Sequence, residues 1–298
     1  MAKVVVADRL GSEAVLELKM RFGTVVEMPK DLEKEVADAQ VLVVRGRTPV
    51  TKGLLGKAPK LRIVARSGAG LDNIDLDECR RKGIRVINTP DAPTIAVAEL
   101  VVGLMISLLR EIPRADAEMK DGKWIKDELL GRELFGKTVG IVGFGRIGAA
   151  VAERLQAFGC GVIAYSPHFK GTKEIESVPL DGLLGRSDIV TLHVPLTKET
   201  RGMIGKREIA LMKKGAYLVN AARGALVDED ALYDALKSGK IAGAGLDVYS
   251  TEPYSGKMRG LENAILLPHI GASTEEARAR TGKQLLEEIE KAAKEAGL

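Results

Sequence analysis

Short apolar runs rich in β-branched residues alternate with amphipathic stretches along the chain. In the N-terminal third the runs predict strands, and the stretches between them predict helices. Strands separated by helices of this length form right-handed βαβ crossovers, so a parallel sheet is expected. The predicted strands are Lys3–Ala7, Val25–Met28, Val41–Arg45, Arg62–Ala65 and Ile84–Asn88. The predicted helices are Ser12–Phe22, with Ser12 as its N-cap, Asp31–Ala37, Lys52–Lys57 and Asp75–Lys82.

A second alternating set makes up the rest of the chain. A long stretch, Thr94–Glu111, precedes it and is apolar on nearly every side, so this helix is expected to be buried between domains or against a second subunit. Because two-fold dimers dominate soluble oligomers, a homodimer is expected. An amphipathic helix, Thr274–Ala296, closes the chain, with Ser273 and Glu276 as its expected capping box. The predicted strands of this set are Thr138–Val142, Gly161–Ser166, Ile189–Val194, Ala216–Asn220, Ala242–Val248 and Ala264–Leu267.

Composition narrows the class of protein. Of the 298 residues, 45% are hydrophobic and 29% are charged, a balance typical of a soluble globular protein. The formal charge is +4, from 45 Lys and Arg against 41 Asp and Glu, and the two signs are interleaved, so no nucleic-acid partner is expected. The longest apolar stretch, Leu100–Leu109, is half the roughly 20 residues that a bilayer span needs, so no membrane partner is expected either.

The cysteine count bears on metal binding and on location. Cys79 and Cys160 cannot build a disulfide framework, and with only three histidines they supply no zinc-ligand cluster, so no metal is expected. The N-terminus runs straight into a predicted strand and lacks the apolar segment and cleavage site of a signal peptide. These features predict a reduced, cytoplasmic protein.

A glycine-rich turn follows the predicted strand Thr138–Val142. The sequence from Gly143 to Gly148 reads G-F-G-R-I-G and leads into a predicted helix, Ala149–Phe158. In this context the first glycine permits a tight turn, the second lets the backbone approach a pyrophosphate, and the third lets the helix pack close to the strand. A glycine-rich turn alone has little specificity, but the strand, helix and second strand around it predict a dinucleotide-binding site.

The strand after this helix ends in Ala-Tyr-Ser-Pro-His-Phe-Lys. Ser166 stands where NAD-binding sites place a carboxylate on the adenosine ribose. A serine holds the ribose diol less strongly than an aspartate, but it does not repel a 2′-phosphate, and His168 or Lys170 would attract one. Both NAD and NADP therefore remain open as the cofactor.

Three later strand ends carry residues suited to a redox site. Arg223 follows one strand and offers a planar fork to a carboxylate or carbonyl, although a surface ion pair explains it equally well. Asp247 and Glu252 follow the next strand, and His269 follows the last. A lone histidine is more often structural, but a carboxylate beside it orients the imidazole and favours its protonated form. Protonated histidine is a natural acid for a carbonyl that receives a hydride.

These stretches resemble a known family. GFGRIG, NAARGALVDEDAL, GAGLDVYSTEP and PHIGAST are similar to the signature stretches of the NAD(P)-dependent D-2-hydroxyacid dehydrogenases, and the resemblance covers almost the whole chain. ARSGAGLDNIDLDECRRKGIRVINTP, MKDGKW and VVRGRTPVT are similar to the members that act on 3-phosphoglycerate. The resemblance implies an α/β fold in which a Rossmann dinucleotide-binding domain, residues 95–275, is inserted in a smaller flavodoxin-like α/β substrate domain, residues 1–94 completed by 276–298.

The resemblance also implies site residues. Arg223 would hold the substrate carboxylate and polarise the carbonyl, His269 would be the acid and base, and Glu252 would be its partner. Asp247 would bind the nicotinamide carboxamide. The implied cofactor contacts are Gly143, Gly145, Arg146, Ile147, Gly148, Ser166, Val194, Pro195, Thr200, Ala221, Asp247 and Gly271. The implied substrate contacts are Ser67, Gly68 and Ala69 for the carboxylate, through backbone N–H groups, and Arg45, Arg66 and a second subunit's Lys126 for the phosphate.

Three positions depart from the family pattern. Ser166 replaces the usual aspartate, Lys126 stands where the family can use arginine, and Pro93 stands where many phosphoglycerate enzymes have asparagine. The chain ends at Leu298, soon after its closing helix, so neither a serine-binding regulatory domain nor feedback inhibition by serine is expected.

The implied function is reversible oxidation of D-3-phosphoglycerate by NAD or NADP, the first step of serine biosynthesis. One alternative is a glyoxylate or hydroxypyruvate reductase, which would use the same three residues on a small 2-keto acid without a phosphate pocket. A second alternative, from another functional class, is a dinucleotide-sensing protein similar to the corepressors of this fold. Such a protein can retain the three residues, so sequence motifs alone do not exclude it.

Overall fold

The computed structural model describes residues 2–298, which form two compact units. The small unit comprises the chain up to Pro93 together with Ser273–Leu298, and the large unit is Thr94–Ala272. Each unit has its own sheet and its own hydrophobic cores.

The small unit is built on a five-stranded parallel sheet of order β2-β1-β3-β4-β5. Apolar cores cover both faces of the sheet, which is why the central strand is buried at every residue. The strands are β1 Lys3–Val6, β2 Thr24–Glu27, β3 Val41–Val44, β4 Ile63–Arg66 and β5 Arg85–Asn88. The helices are α1 Ser12–Arg21, α2 Leu32–Val36, α3 Lys52–Gly56 and α4 Leu76–Arg81, with the C-terminal helix, α11 in chain order, at Glu275–Ala296.

Two expected helix caps are wrong. Helix α1 does begin at Ser12, but Gly11 is its N-cap and no side chain caps it. Helix α11 is capped by Thr274, whose Oγ1 accepts from the N–H of Ala277 at 3.1 Å, instead of by a Ser273 and Glu276 box. With the cap one residue later, Ala277 occupies the third helical position, where a capping box needs a glutamate or glutamine.

The large unit contains a seven-stranded parallel sheet of order β12-β11-β10-β9-β6-β7-β8. The first strand of this unit, β6, lies between β9 and β7. The strands that follow β6 are therefore added first on one side of it and later on the other. This reversal of strand order opens a crevice at the carboxyl ends of the strands, where such sheets bind ligands. The strands are β6 Thr138–Val142, β7 Gly161–Tyr165, β8 Glu176–Ser177, β9 Ile189–Leu192, β10 Ala216–Asn220, β11 Ile241–Leu246 and β12 Ala264–Leu266. The helices are α5 Thr94–Leu109, α6 Ile112–Lys120, α7 Arg146–Ala157, α8 Leu180–Arg186, α9 Lys206–Leu211 and α10 Glu229–Lys237.

Helix α5 is the apolar helix that the sequence predicts to be buried between domains or against a second subunit, but the structure buries it in the core of the large unit itself. Most of its residues are buried in the core that it shares with α7 and β6. Two glycines of β11 make room for it, because a Cβ on Gly243 would meet Leu108 at 3.1 Å and one on Gly245 would meet Leu104 at 3.3 Å. Ile95 and Glu99 remain exposed on its other side.

Residues 2–298 contain no helix that combines the length and the apolarity of a membrane span. Within the same range no three His, Cys, Asp or Glu side chains come together as metal ligands would.

Candidate active site

The parallel strands β10, β11 and β12 are neighbours in the sheet, so the segments that follow them lie at one edge. Arg223 follows β10, Asp247 and Glu252 follow β11, and His269 follows β12. The carboxyl ends of parallel strands are where open α/β sheets bind ligands. The fold therefore gathers at one edge the four residues that the sequence singles out.

A hydrogen bond joins two of these residues. The Nδ1 atom of His269 lies 2.8 Å from Oε2 of Glu252, and the other carboxylate oxygen accepts from the N–H of Tyr249 at 3.1 Å. The His269 side chain is 53% exposed, and no hydrogen bond to its Nε2 is found within residues 2–298. The carboxylate thus fixes the imidazole so that Nε2 faces outward, as a group that exchanges a proton with substrate requires.

His269 is held in an uncommon backbone conformation, with φ of +57°. The buried carboxylate of Asp247 accepts from the next two N–H groups, those of Ile270 and Gly271, each at 2.7 Å. Burial raises the pKa of Asp247, and the two N–H donors offset part of that rise. These contacts give Asp247 a structural role beside His269, and its expected contact with the nicotinamide carboxamide stays a prediction.

Two buried residues that sequence analysis missed support the strand ends. Asn220 accepts from the N–H of Ala222 at 3.0 Å and donates to the carbonyl of Arg223 at 2.9 Å, which shapes the turn that carries the arginine. The hydroxyl of Tyr249 lies 3.1 Å from the carbonyl of Leu246, the last residue of β11, and 3.0 Å from that of Leu267, the residue after β12. Burial raises the pKa of Tyr249 to about 12, so it remains a neutral donor. No periodicity marks such residues, because their role depends on strand order.

The turn after Arg223 packs tightly against the segment after β11. A Cβ on Gly224 would lie 1.8 Å from the backbone of Tyr249, so only glycine fits there. The guanidinium of Arg223 donates from Nη1 to the carbonyl of Ala222 at 2.6 Å. Ala221, an expected cofactor contact, lies in the same turn.

The glycine loop differs from the sequence expectation in one respect. Helix α7 begins at Arg146, not at Ala149, so Arg146, Ile147 and Gly148 form its first turn. The first N–H groups of a helix lack partners within the helix and carry its positive dipole end. The last three residues of the motif therefore supply N–H donors as well as space.

The three glycines of the loop have separate roles. Gly143 has φ of +100°, and a Cβ there would lie 2.6 Å from the backbone of His193. A Cβ on Gly148 would lie 2.1 Å from the carbonyl oxygen of Gly143. A Cβ on Gly145 would meet no described atom within 4 Å. Because folding does not require glycine at 145, the open space there and the adjacent helix start fit a bound pyrophosphate.

The remaining expected cofactor contacts lie after β9 and β7, the two neighbours of β6 in the sheet. Thr200 donates to the carbonyl of Pro195 at 2.7 Å and so closes the loop that follows Val194. His193 is the residue before Val194. Desolvation lowers the pKa of His193 to about 4, so its ring is neutral at pH 7. Ser166 follows β7 directly.

The expected substrate-carboxylate loop belongs to the small unit. Gly68 has φ of +136°, and a Cβ there would lie 1.6 Å from Nη1 of Arg66. Its N–H donates to Oγ1 of Thr89 at 2.7 Å, and the carbonyl of Ala69 accepts from Asn88 at 2.6 Å. Ser67 is buried at the start of this loop.

The two expected phosphate-binding arginines lie at the ends of neighbouring strands, Arg66 as the last residue of β4 and Arg45 as the residue after β3. Val44 pairs with Arg66 in the sheet, so Arg45 is the next residue beside it. The buried carboxylate of Asp8 holds the Arg45 loop, because it accepts from the Arg45 N–H at 2.5 Å and from the Thr48 hydroxyl at 2.8 Å. Lys126 is exposed in a short 3₁₀ turn of the large unit.

Comparison with known proteins places the chain in a family. Residues 102–271, more than half of the chain, match the model of the D-isomer specific 2-hydroxyacid dehydrogenase, NAD binding domain. The chain belongs to this family. It is 47% identical to a D-3-phosphoglycerate dehydrogenase of Methanocaldococcus jannaschii over 98% of this chain and 57% of that protein. It is 46% identical to a hydroxypyruvate reductase of Thermotoga maritima over 96% of this chain and 97% of the reductase.

Solved structures of this size agree with the family assignment. The TT0316 protein from Thermus thermophilus has a TM-score of 0.91 and 36% identity, and the match covers 98% of this chain and 97% of that one. A D-lactate dehydrogenase from Aquifex aeolicus, complexed with NAD and lactic acid, has a TM-score of 0.88 and 32% identity over 99% and 96%. The expected α/β class with a Rossmann dinucleotide-binding domain is confirmed. The chain spans just over half of the D-3-phosphoglycerate dehydrogenase of M. jannaschii.

Proposed function

We propose that this D-2-hydroxyacid dehydrogenase reversibly oxidises D-3-phosphoglycerate to 3-phosphohydroxypyruvate with NAD or NADP, as the first step of serine biosynthesis. The pairing of His269 with Glu252 at 2.8 Å, at the strand edge where Arg223 also lies, is the observation that carries the chemistry. The name of the M. jannaschii relative supports the choice of substrate.

The chain's own residues divide the work of keto-acid reduction. The guanidinium of Arg223 pairs with the substrate carboxylate and polarises the carbonyl. His269 donates a proton from Nε2 to the carbonyl oxygen, and Glu252 holds the imidazolium at Nδ1. A bound nicotinamide coenzyme supplies the hydride. In the oxidation direction His269 takes the proton from the substrate hydroxyl.

The small unit supplies the proposed recognition of the rest of the substrate. The N–H of Ala69 in this loop receives the carboxylate. The N–H groups of Ser67 and Gly68 donate within the small unit, to the carbonyl of Val44 and to Oγ1 of Thr89, and hold the loop in shape. Arg45 and Arg66, whose backbones lie side by side at the ends of β3 and β4, receive the phosphate, since two guanidinium groups match a dianion with several acceptor oxygens.

Substrate discrimination tests this assignment. Arg66→Ala is expected to lower the preference for 3-phosphohydroxypyruvate over hydroxypyruvate, measured as a ratio of kcat/KM values, by about 10- to 100-fold, because a charge-assisted hydrogen bond contributes roughly 1.5–3 kcal/mol. Arg62→Ala is the matched control, because Arg62 is an exposed arginine just before the opposite end of the same strand. The control should leave the ratio unchanged.

A second candidate function has its own support. The hydroxypyruvate reductase of T. maritima matches over 97% of its own length. Its name gives hydroxypyruvate, which carries no phosphate, as the substrate. If the wild-type protein uses both keto acids equally well, and Arg66→Ala does not change the ratio, the reductase function replaces the phosphoglycerate function.

We also propose that the protein works as a homodimer in the cytoplasm. Trp124 is 77% exposed, Leu130 91% and Phe135 72%, all within one segment of the large unit, and a two-fold partner would cover them. Lys126 lies in that segment and would reach the partner's substrate. Light scattering after gel filtration is expected to give about twice the chain mass of 31.9 kDa, and a monomer would contradict the dimer.

The proposed cytoplasmic location has separate support. Cys79 and Cys160 are both free, as is usual for a protein in a reducing compartment. Cell fractionation would check this location.

A further inference from the structure

The segment that follows β7 lies directly beside the glycine loop. Val142 pairs with Tyr165 in the sheet, and the N–H of Gly143 donates to the carbonyl of Tyr165 at 2.7 Å. Ser166 is therefore the next residue alongside Gly143. This is the position from which a Rossmann fold contacts the adenosine ribose.

No carboxylate approaches this position from the segment itself. The sequence has neither Asp nor Glu between Gly161 and Lys173. The first acid, Glu174, lines a depression with Thr138 and Gly161, the first residues of β6 and β7. Those residues mark the amino ends of the strands, about 13 Å along a five-residue strand from the glycine loop. The fold thus places Glu174 at the amino ends of the strands, whereas Ser166 and the glycine loop lie at the carboxyl ends.

The segment from Ser166 to Lys170 is held in shape. The ring of Phe169 stacks on Phe144 of the glycine loop with centroids 4.0 Å apart. Its N–H donates to the carbonyl of Ser166 at 3.2 Å, and its carbonyl accepts from the hydroxyl of Ser177 at 2.9 Å. His168 and Lys170, on either side of this anchored residue, are exposed. The two side chains are therefore carried on a backbone fixed to the cofactor loop.

We propose that Ser166, His168 and Lys170 receive a coenzyme 2′-phosphate, so that the protein binds NADP(H) in preference to NAD(H). A serine hydroxyl donates to a phosphate oxygen, and the lysine ammonium adds a charge-assisted contact. An aspartate at the same place would instead accept from the ribose 2′-hydroxyl and repel a 2′-phosphate. The inference rests on the proposed function in one respect, because both require that the glycine loop Gly143–Gly148 binds a dinucleotide.

The test uses coenzyme fragments that carry no nicotinamide and so report binding apart from catalysis. Calorimetric titration of the protein with 2′,5′-ADP and with 5′-AMP measures how much the 2′-phosphate adds to the affinity. We expect 2′,5′-ADP to bind about 10- to 100-fold more tightly than 5′-AMP. Equal affinities, or tighter binding of 5′-AMP, would overturn the proposal.

Three variants assign the effect to the loop. Lys170→Ala is expected to weaken 2′,5′-ADP by about tenfold and leave 5′-AMP unchanged. Ser166→Asp is expected to reverse the preference. Lys173→Ala is the matched control, because Lys173 is a cation three residues further on that lines the depression at the amino ends of the strands. An equal loss in Lys173→Ala would show a general charge effect and contradict the assigned contacts.

The outcomes separate this inference from the proposed function. If 2′,5′-ADP binds preferentially but 3-phosphoglycerate is not oxidised, the proposed substrate is wrong and the coenzyme preference stands. If 3-phosphoglycerate is oxidised and 5′-AMP binds as tightly as 2′,5′-ADP, only the preference fails. If neither fragment binds, the glycine loop is not a dinucleotide-binding site and both proposals fail together.

Discussion

Replacing His269 with glutamine is expected to lower kcat for keto-acid reduction by about a thousandfold, within the range of 10²- to 10⁴-fold that general acid–base catalysis contributes. Glutamine fills similar space and donates a hydrogen bond, but it does not transfer a proton at neutral pH. Because the expected cofactor cradle is the glycine loop after β6, the dissociation constant of the coenzyme should remain within a few-fold of the wild-type value. Steady-state kinetics and a coenzyme titration on the same preparation measure both quantities.

The partner of the histidine provides a graded control. Glu252→Gln retains a side chain beside Nδ1 but removes the charge that stabilises the imidazolium, so a smaller loss of kcat is expected. Glu262→Gln changes an exposed glutamate ten residues further along and should change nothing. A wild-type protein that binds coenzyme but never turns over would instead favour the dinucleotide-sensing alternative.

Arg223→Lys is expected to lower kcat/KM for the keto acid by about a hundredfold. Lysine keeps the positive charge but lacks the planar fork that forms two parallel hydrogen bonds with a carboxylate, so roughly 3 kcal/mol of the interaction is lost. The loss should appear as a higher KM as well as a lower kcat, because the arginine both anchors the carboxylate and polarises the carbonyl.

The conservative exchange at Arg259 is the control for this variant. Arg259 is an exposed arginine in the 3₁₀ turn Lys257–Gly260 of the same unit, so Arg259→Lys should leave both kinetic constants unchanged. An Arg223→Lys protein with the wild-type KM and kcat would remove the arginine from the proposed site.

Sequence patterns predicted the elements that carry the site. The bounds of β6 and β10 match the prediction residue for residue, because β6 ends where the glycine turn begins and the apolar run of β10 ends at the polar Asn220. Since every strand of a parallel sheet points the same way, the order of strand ends was enough to suggest that Arg223, Glu252 and His269 share an edge. The 2.8 Å contact of His269 with Glu252 gives that suggestion its geometry.

Other features were beyond sequence reasoning, for physical reasons. Either of two adjacent hydroxyl residues can cap helix α11, and the local backbone chooses Thr274 over Ser273. The support that Asn220 gives to the Arg223 turn is a buried contact with no periodic signal. Coenzyme choice stayed open for a similar reason. Glu174 is close to Ser166 in sequence, and only the fold shows that Glu174 lies at the amino ends of the strands while Ser166 lies at a carboxyl end.

Isotope transfer in a single turnover tests the central claim most directly. The purified protein is mixed with 3-phosphohydroxypyruvate and a reduced coenzyme in which both hydrogens on C4 of the nicotinamide are deuterium, and the product is analysed by mass spectrometry and chiral chromatography. The account predicts one deuterium on C2 of a D-2-hydroxy acid, and the His269→Gln variant should form the same product far more slowly. A product without deuterium, or no reduction of any 2-keto acid, would contradict it.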